Sequence, residues 1–174
     1  MSGAWDNGVV REGCVKVVLR EWSDDDAGWY VRQVRDTEIV RFTTERPSLT
    51  VDDLLRALDR LRHDDQAIGL AVVDATSGDL LGNIAADRHG DVASVSYWVA
   101  PDARGKGVAS QALVEMCQRV RSAWPVGAIQ LWAHADNVAS QRVAENAGFV
   151  DVTEDGATME VDGQQWPVRW YRRD

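Results

Sequence analysis

The stretch VASVSYWVAPDARGKGVASQA, residues 92–112, decides the fold. Its first part, Val92–Val99, is rich in β-branched and aromatic side chains and predicts a strand. Pro101-Asp102 interrupts that strand, and a helical pattern starts near Gly107. The stretch therefore predicts a strand, a tight turn and a helix in direct succession.

The turn between this strand and this helix has the composition of an anion site. Its sequence, RGKGVA at Arg104–Ala109, contains two glycines that let the backbone approach a ligand closely. Backbone N–H groups and the helix dipole favour negative charge there, and Arg104 and Lys106 add two positive charges. A Gly-x-Gly turn is common by itself, and neither the Walker P-loop nor the GxGxxG motif is present. The expected occupant is a pyrophosphate.

The rest of the chain alternates between strand and helix patterns. Two predicted helices each follow a polar residue that favours helix starts, Ser23 and Thr50. Ile39–Phe42 lies between these helices and is assigned to neither a helix nor a strand. Other strands are predicted at Val15–Glu21, Ala67–Asp74, Leu80–Asp87 and Gly127–His134, a helix at Asn137–Ala147, and a final hairpin of Phe149–Thr153 with Trp166–Arg172 around Asp162-Gly163. This order predicts a mixed, mostly antiparallel α/β sheet whose fourth and fifth strands are parallel, because a helix connects them.

Composition limits the function. The chain has 174 residues, 45% of them hydrophobic, which suits one globular domain; we expect a flexible arm at residues 1–13 and a domain at residues 14–174. A net charge of −9 argues against nucleic acid and anionic lipid as partners. It suits a cationic acceptor such as an amine, although an acidic surface also simply confers solubility.

The N-terminal sequence has no pattern typical of a signal peptide, and no apolar run is long enough to span a bilayer. We therefore expect a cytoplasmic protein without a membrane partner. Its two cysteines, Cys14 and Cys117, are far apart in the chain and are not spaced for a metal site, so we expect free thiols.

Three segments together resemble the GCN5-related N-acetyltransferase (GNAT) family. They are Tyr97–Ala109, the run Asn137-x-x-Ser140 followed by Glu145–Phe149, and Asp36–Phe42. The last of these resembles the RimJ/RimL-like subgroup, which acetylates the N-termini of ribosomal proteins. The resemblance covers most of the chain and implies a single-domain GNAT fold, with splayed fourth and fifth strands and about four helices.

The resemblance also implies an acetyl-CoA site. Val99 and its neighbour Trp98 would pair with the pantetheine amides as an added strand. Asn137 would hydrogen-bond the pantetheine arm, and Ser140 would lie near the sulfur and protonate the departing thiolate. The pyrophosphate would be held by the backbone N–H groups of Arg104, Gly105, Lys106, Gly107, Val108 and Ala109.

The residues for proton transfer depart from the family pattern. Ala144 aligns with the tyrosine acid of many GNATs, and Ser94 stands where RimL-like enzymes often carry glutamate. The candidates for the general base that takes the amine proton are therefore a water relay through Ser94 and Ser96, His134 on the fifth strand, and Glu38. Histidine suits proton transfer at neutral pH, although His134 also fits a packing role.

Ser140 has two interpretations as well, as the acid or as a simple helix cap.

The favoured function is acetyl transfer from acetyl-CoA to a primary amine by direct attack in a ternary complex. The acceptor would be a protein N-terminus or a small-molecule amine. The oligomeric state stays open, although many relatives form dimers and a homodimer is one of the alternatives. The competing hypothesis, based on Ala144 and Ser94, is a CoA- or acyl-CoA-binding module with little or no transferase activity.

Overall fold

The computed structural model describes residues 15–174; the predicted arm at residues 1–13 lies outside them. Within this range, eight strands are paired in the order β1-β2-β3-β4-β5-β8-β6, and β7 pairs with β8 alone. The strands are β1 Val17–Glu21, β2 Ala67–Asp74, β3 Leu80–His89, β4 Val92–Val99, β5 Ala128–His134, β6 Val150–Asp151, β7 Thr158–Val161 and β8 Gln164–Arg173. The predicted mixed, mostly antiparallel α/β fold is confirmed.

The fourth and fifth strands are parallel and separate after three residues. β4 pairs with β3 along its whole length, from Val92 to Val99, but with β5 only at Val92–Ser94. Ala100 donates its N–H to Leu81 at the start of β3. Because backbone groups alternate in direction along a strand, the N–H of Val99 faces the opposite side, toward the gap.

In the described part of the chain, five α-helices connect these strands: α1 Ala27–Gln33, α2 Thr37–Phe42, α3 Val51–Leu61, α4 Val108–Ala123 and α5 Val138–Asn146. Ser23 and Thr50 form capping boxes, as expected from their positions before helices. The short α2 is the helix that the sequence analysis left unassigned, and the side chain of Asp36 caps it. None of the helices within residues 15–174 is long and apolar enough to cross a membrane.

The helices cover both faces of the sheet. The core that includes α4 contains Leu113 and Met116, and Tyr97 packs against it. The second core, between the sheet and helices α1 and α3, contains Trp98. Because successive side chains of a strand point to opposite faces, Tyr97 and Trp98 belong to different sides of the molecule.

The final hairpin differs from the prediction. The turn at Asp162-Gly163 joins β7 to β8, whereas Phe149–Thr153 contributes only the short β6, which pairs with the far end of β8. Asp162 and Gly163 have φ of 48° and 76°, which suits a two-residue turn. Such a turn pairs the residues directly before and after it, so Val161 pairs with Gln164.

Candidate active site

A cleft of about 800 Å³ opens where β4 and β5 separate. Its volume lies in the range of small-molecule sites. Its walls come from the C-terminal half of β4, the turn before α4, the start of α5, and helix α2 with the loop that follows it. The sheet is thus open at the position where the sequence analysis placed the pantetheine arm.

The glycine turn is built to expose backbone N–H groups. Gly105 and Gly107 have φ of 73° and 74°, a left-handed conformation that favours glycine. A Cβ on Gly105 would meet no atom within 4 Å, so backbone conformation rather than crowding calls for glycine. Gly107 is the N-cap of α4, and no side chain within residues 15–174 caps this 16-residue helix. These features fit a pyrophosphate.

The side-chain charges of the turn already have partners within the described chain. Arg104 donates to Asp36 at 2.5 Å and to Glu38 at 2.8 Å, which ties the turn to α2. Lys106 lies outside the cleft lining, and its Nζ donates to the carbonyl of Asp102 at 2.7 Å. Asp36 and Glu38 therefore compensate the charge of Arg104, whereas Lys106 has a neutral carbonyl as its partner.

The ion pair with Arg104 affects Asp36. Burial alone would raise the pKa of this carboxyl group. The hydrogen bond from Arg104, assisted by the backbone N–H groups of Ile39 and Glu38, outweighs burial, so the pKa of Asp36 is lowered. Asp36 is therefore firmly ionised at neutral pH, both as the cap of α2 and as the partner of Arg104.

Asn137 and Ser140 meet Tyr97 at the start of α5. The Oδ1 of Asn137 accepts the N–H of Ser140 at 3.1 Å, so Asn137 rather than Ser140 caps the helix. The Oγ of Ser140 lies 2.8 Å from the hydroxyl of Tyr97. Burial raises the pKa of Tyr97 to about 12, although the hydrogen bond with Ser140 opposes this. Tyr97 therefore stays protonated at neutral pH.

The predicted cofactor-binding residues other than Lys106 all line the cleft, together with Ser96 and Glu38. They are Trp98, Val99, Arg104, Gly105, Gly107, Val108, Ala109, Asn137 and Ser140. Ser94 and His134 do not. Ser94 lies where β4 and β5 are still paired, and its Oγ accepts a bond from Gln130 at 3.0 Å. His134 accepts the N–H of Asp136 at 3.1 Å and packs against Phe42 and Trp166.

Glu45 is a cleft residue that the sequence analysis did not single out. It lies in the loop between α2 and α3, and its Oε1 accepts the hydroxyl of Tyr30 at 2.5 Å and the indole N–H of Trp98 at 2.9 Å. Trp98 is 53 positions away in the chain. No local motif marks such a residue, because its role arises only from contacts made in the folded chain.

The family model described as "Acetyltransferase (GNAT) domain" matches residues 16–150, which include β1–β5, the glycine turn and α5. The chain belongs to the GNAT acetyltransferase family. This GNAT protein is therefore an N-acetyltransferase, and its acyl donor is acetyl-CoA. The search of curated protein sequences found no match.

Solved structures show the same fold at low sequence identity. Spermidine N-acetyltransferase from Vibrio cholerae, in complex with CoA and spermine, has a TM-score of 0.79 and 19% identity, covering 90% of this chain and 94% of the other. An acetyltransferase from Salmonella typhimurium that modifies the N-terminal serine of ribosomal protein L7/L12 has a TM-score of 0.75 and 15% identity, covering 90% and 94%. Among these similar structures, a spermidine enzyme and a ribosomal-protein enzyme thus share this fold.

Proposed function

We propose that this GNAT enzyme transfers an acetyl group from acetyl-CoA to a primary amine by direct attack in a ternary complex. The observation that carries the proposal is the continuity of the cleft with the glycine turn. Residues of the turn and the open edge of β4 line one cavity. One bound molecule can therefore place a diphosphate at the start of α4 and a thioester beside Val99.

The donor would be held mainly by backbone groups. The N–H groups of Arg104–Ala109 would bind the pyrophosphate, since the turn is left-handed at both glycines and α4 has no side-chain cap in the described chain. The backbone of Val99, Trp98 and their neighbours would pair with the pantetheine amides. The Nδ2 of Asn137 is the donor left for the arm, because its Oδ1 caps α5.

Acetyl transfer requires little from the side chains. The thioester carbonyl oxygen would accept the N–H of Val99, which faces the gap, and this bond strengthens as charge develops on the oxygen. Ser140 would protonate the departing thiolate, and Tyr97 would orient the Ser140 hydroxyl through the 2.8 Å contact. Positioning of the two reactants supplies most of the acceleration.

The acceptor would be a cationic primary amine, either a protein N-terminus or a small molecule. The net charge of −9 favours such acceptors through long-range attraction. The similar structures include a spermidine enzyme and an enzyme that modifies a ribosomal protein N-terminus, and both kinds of acceptor carry a primary amine. Both kinds are therefore included in the test.

The test is a thiol-release assay with acetyl-CoA and a panel of amines. The panel contains spermidine, putrescine and short peptides with free N-terminal serine or alanine. Acceptor-dependent release, with the acetylated amine found by mass spectrometry, supports the proposal. Tight CoA binding by calorimetry without turnover on any amine would instead favour the CoA-binding module.

A further inference from the structure

Two hydrogen-bonded pairs flank the same point of β4 from opposite faces of the sheet. Tyr97 contacts Ser140 on the face covered by α4 and α5. Trp98, the next residue, contacts Glu45 on the face covered by α1 and α3. Both pairs line the cleft beside the open edge of the strand. The opening therefore has a different functional group on each face.

In the proposed ternary complex the donor lies toward the first of these faces. The glycine turn leads directly into α4, and Asn137 caps α5, so the contacts proposed for CoA beyond the edge of β4 come from the side of Tyr97. A second substrate in a ternary complex then reaches the thioester from the opposite face. Glu45 is the carboxylate on that face that is hydrogen-bonded to β4 itself.

The carboxylate of Glu45 is fixed but not neutralised. Its two hydrogen bonds come from uncharged donors, Tyr30 and Trp98, and both end on Oε1. Within residues 15–174 it forms no ion pair, and its Oε2 accepts no hydrogen bond. Burial, followed by the negative charge of Glu45, raises the pKa of Tyr30, so this hydroxyl keeps its proton and donates a hydrogen bond to Glu45.

The other charges that line the cleft are largely paired. Arg104 is bound to Asp36 and Glu38, and Arg41 lies 3.5 Å from Asp136. The charged side chains that share the cleft with Glu45 are Glu38, Arg41, Arg104, Asp136 and Arg142. An ammonium group that enters from the α1–α3 face therefore finds an uncompensated carboxylate at Glu45.

We propose that Glu45 is the catalytic residue on the acceptor side, which binds the ammonium group of a cationic amine and takes one of its protons. This assignment rests on the proposed acetyl transfer. One proton of the ammonium group moves to Oε2 of Glu45, and the nitrogen then forms a bond to the thioester carbon while the carbon–sulfur bond breaks. Ser140 gives its hydroxyl proton to the thiolate and regains one as the nitrogen loses its second proton, and the products are the amide, CoA thiol and protonated Glu45.

The test is Glu45→Gln, compared with wild type and with the control Glu154→Gln in an exposed loop. Glutamine retains an Oε1 that accepts the bonds from Tyr30 and Trp98, so the exchange removes the charge and leaves these contacts. We expect kcat/KM for spermidine and for a serine peptide to fall about 100-fold or more at pH 7 in Glu45→Gln. CoA affinity, measured by calorimetry, should match wild type and show that the variant is folded.

Two further readouts separate proton transfer from a structural role. The deficit of Glu45→Gln should shrink as the pH rises, because solvent then deprotonates the amine. It should also be small for aniline, which is uncharged at neutral pH. A wild-type rate with spermidine and peptide in Glu45→Gln, an equal deficit with aniline, or a loss of activity in Glu38→Gln alone would overturn the assignment. Absence of acetylation by wild type would instead overturn the proposed function, and the Glu45 assignment with it.

Discussion

The hydroxyl groups of Tyr97 and Ser140 lie 2.8 Å apart, although the residues are 43 positions apart in the chain. Tyr97 reaches Ser140 from β4, and Ser140 lies in the first turn of α5. The contact therefore joins the β4 wall and the α5 wall of the cleft, just beyond the point where β4 and β5 separate. The contact with Tyr97 also orients the hydroxyl of Ser140, while the backbone N–H of Ser140 donates to the Oδ1 of Asn137.

Ser140→Ala should lower kcat more than it raises the KM for acetyl-CoA, because an acid acts on the leaving thiolate and not on the bound donor. We expect a loss of about 100-fold in kcat. Ser122→Ala, at an exposed serine of α4, is the matched control. Steady-state kinetics with an amine from the panel measures the effect, and an unchanged kcat would remove Ser140 from the chemistry.

Tyr97→Phe should reduce kcat less than Ser140→Ala, because it removes only the partner that orients the serine. Since burial raises the pKa of Tyr97 to about 12, the ratio of wild-type to variant kcat should stay constant from pH 6 to pH 9. A ratio that changes within this interval would show that Tyr97 itself exchanges a proton. The double variant should be no slower than Ser140→Ala alone if Tyr97 acts through Ser140.

Gly107→Glu should abolish CoA binding. The side chain would place a negative charge at the position proposed for the pyrophosphate and would also strain a backbone with φ of 74°. Gly156→Glu separates these two causes, because Gly156 has φ of 72°, open surroundings and no place in the cleft. Calorimetric titration with CoA should show binding in the Gly156 variant alone, and binding in both would contradict the pyrophosphate assignment.

Asp36→Asn should reduce stability in a pH-dependent way. Because the pKa of Asp36 is lower in the folded protein than in the unfolded chain, its ionised form stabilises the fold above the unfolded value of about 3.9. This contribution disappears as the pH falls through the lower, folded value. Asparagine caps helices as well as aspartate does, so α2 keeps its cap while the ion pair with Arg104 is lost.

Thermal unfolding from pH 7 to pH 3 measures this effect. The Tm of Asp36→Asn should lie a few degrees below that of wild type at pH 7, and the two should converge toward the acid end. Asp155→Asn, at an exposed turn, should show no such convergence. A constant difference between Asp36→Asn and wild type at all pH values would argue against the ion pair as its source.

Gly82→Ala should destabilise the fold. A Cβ on Gly82 would clash with the carbonyl oxygen of Trp98, a backbone atom that moves only if β4 moves. We expect a cost of about 1–3 kcal/mol, seen as a lower Tm. Gly69→Ala is the comparison, because its Cβ would meet only the end of the Leu61 side chain, at 2.6 Å, and that side chain can rotate away. Equal losses in the two variants would contradict this explanation.

The sequence was most informative where the structural signals are local. The breaker at Pro101 and the glycines of the turn specify the change from β4 to α4, because proline and positive φ restrict the backbone residue by residue. The helix at Thr37–Phe42 was missed because six residues are too few for a helical period to show. The β7–β8 pairing was missed because the turn chemistry was recognised but the wrong strand was joined to it.

The chemistry of the cleft was less predictable than its position. Strand alternation already places Tyr97 and Trp98 on opposite faces, but it does not say which of the two meets α5. Ser94 and Ser96 were considered from their place on the strand, yet only Ser96 lines the cleft, because β5 still pairs with β4 at Ser94. Glu45 lies in a loop, where no periodicity indicates which way a side chain points.

The pairing of β3 with β4 also constrains how this enzyme can change. A slip of one residue would exchange the two faces of β4, burying the phenol of Tyr97 among the tryptophans and turning the indole of Trp98 toward α5. The contacts of Tyr97 with Ser140 and of Trp98 with Glu45 would both be lost in that single step. A single-residue insertion or deletion within the paired part of β4 would therefore disrupt both walls of the cleft unless a bulge, like the irregularity at Val72/Val73 in β2, absorbed it.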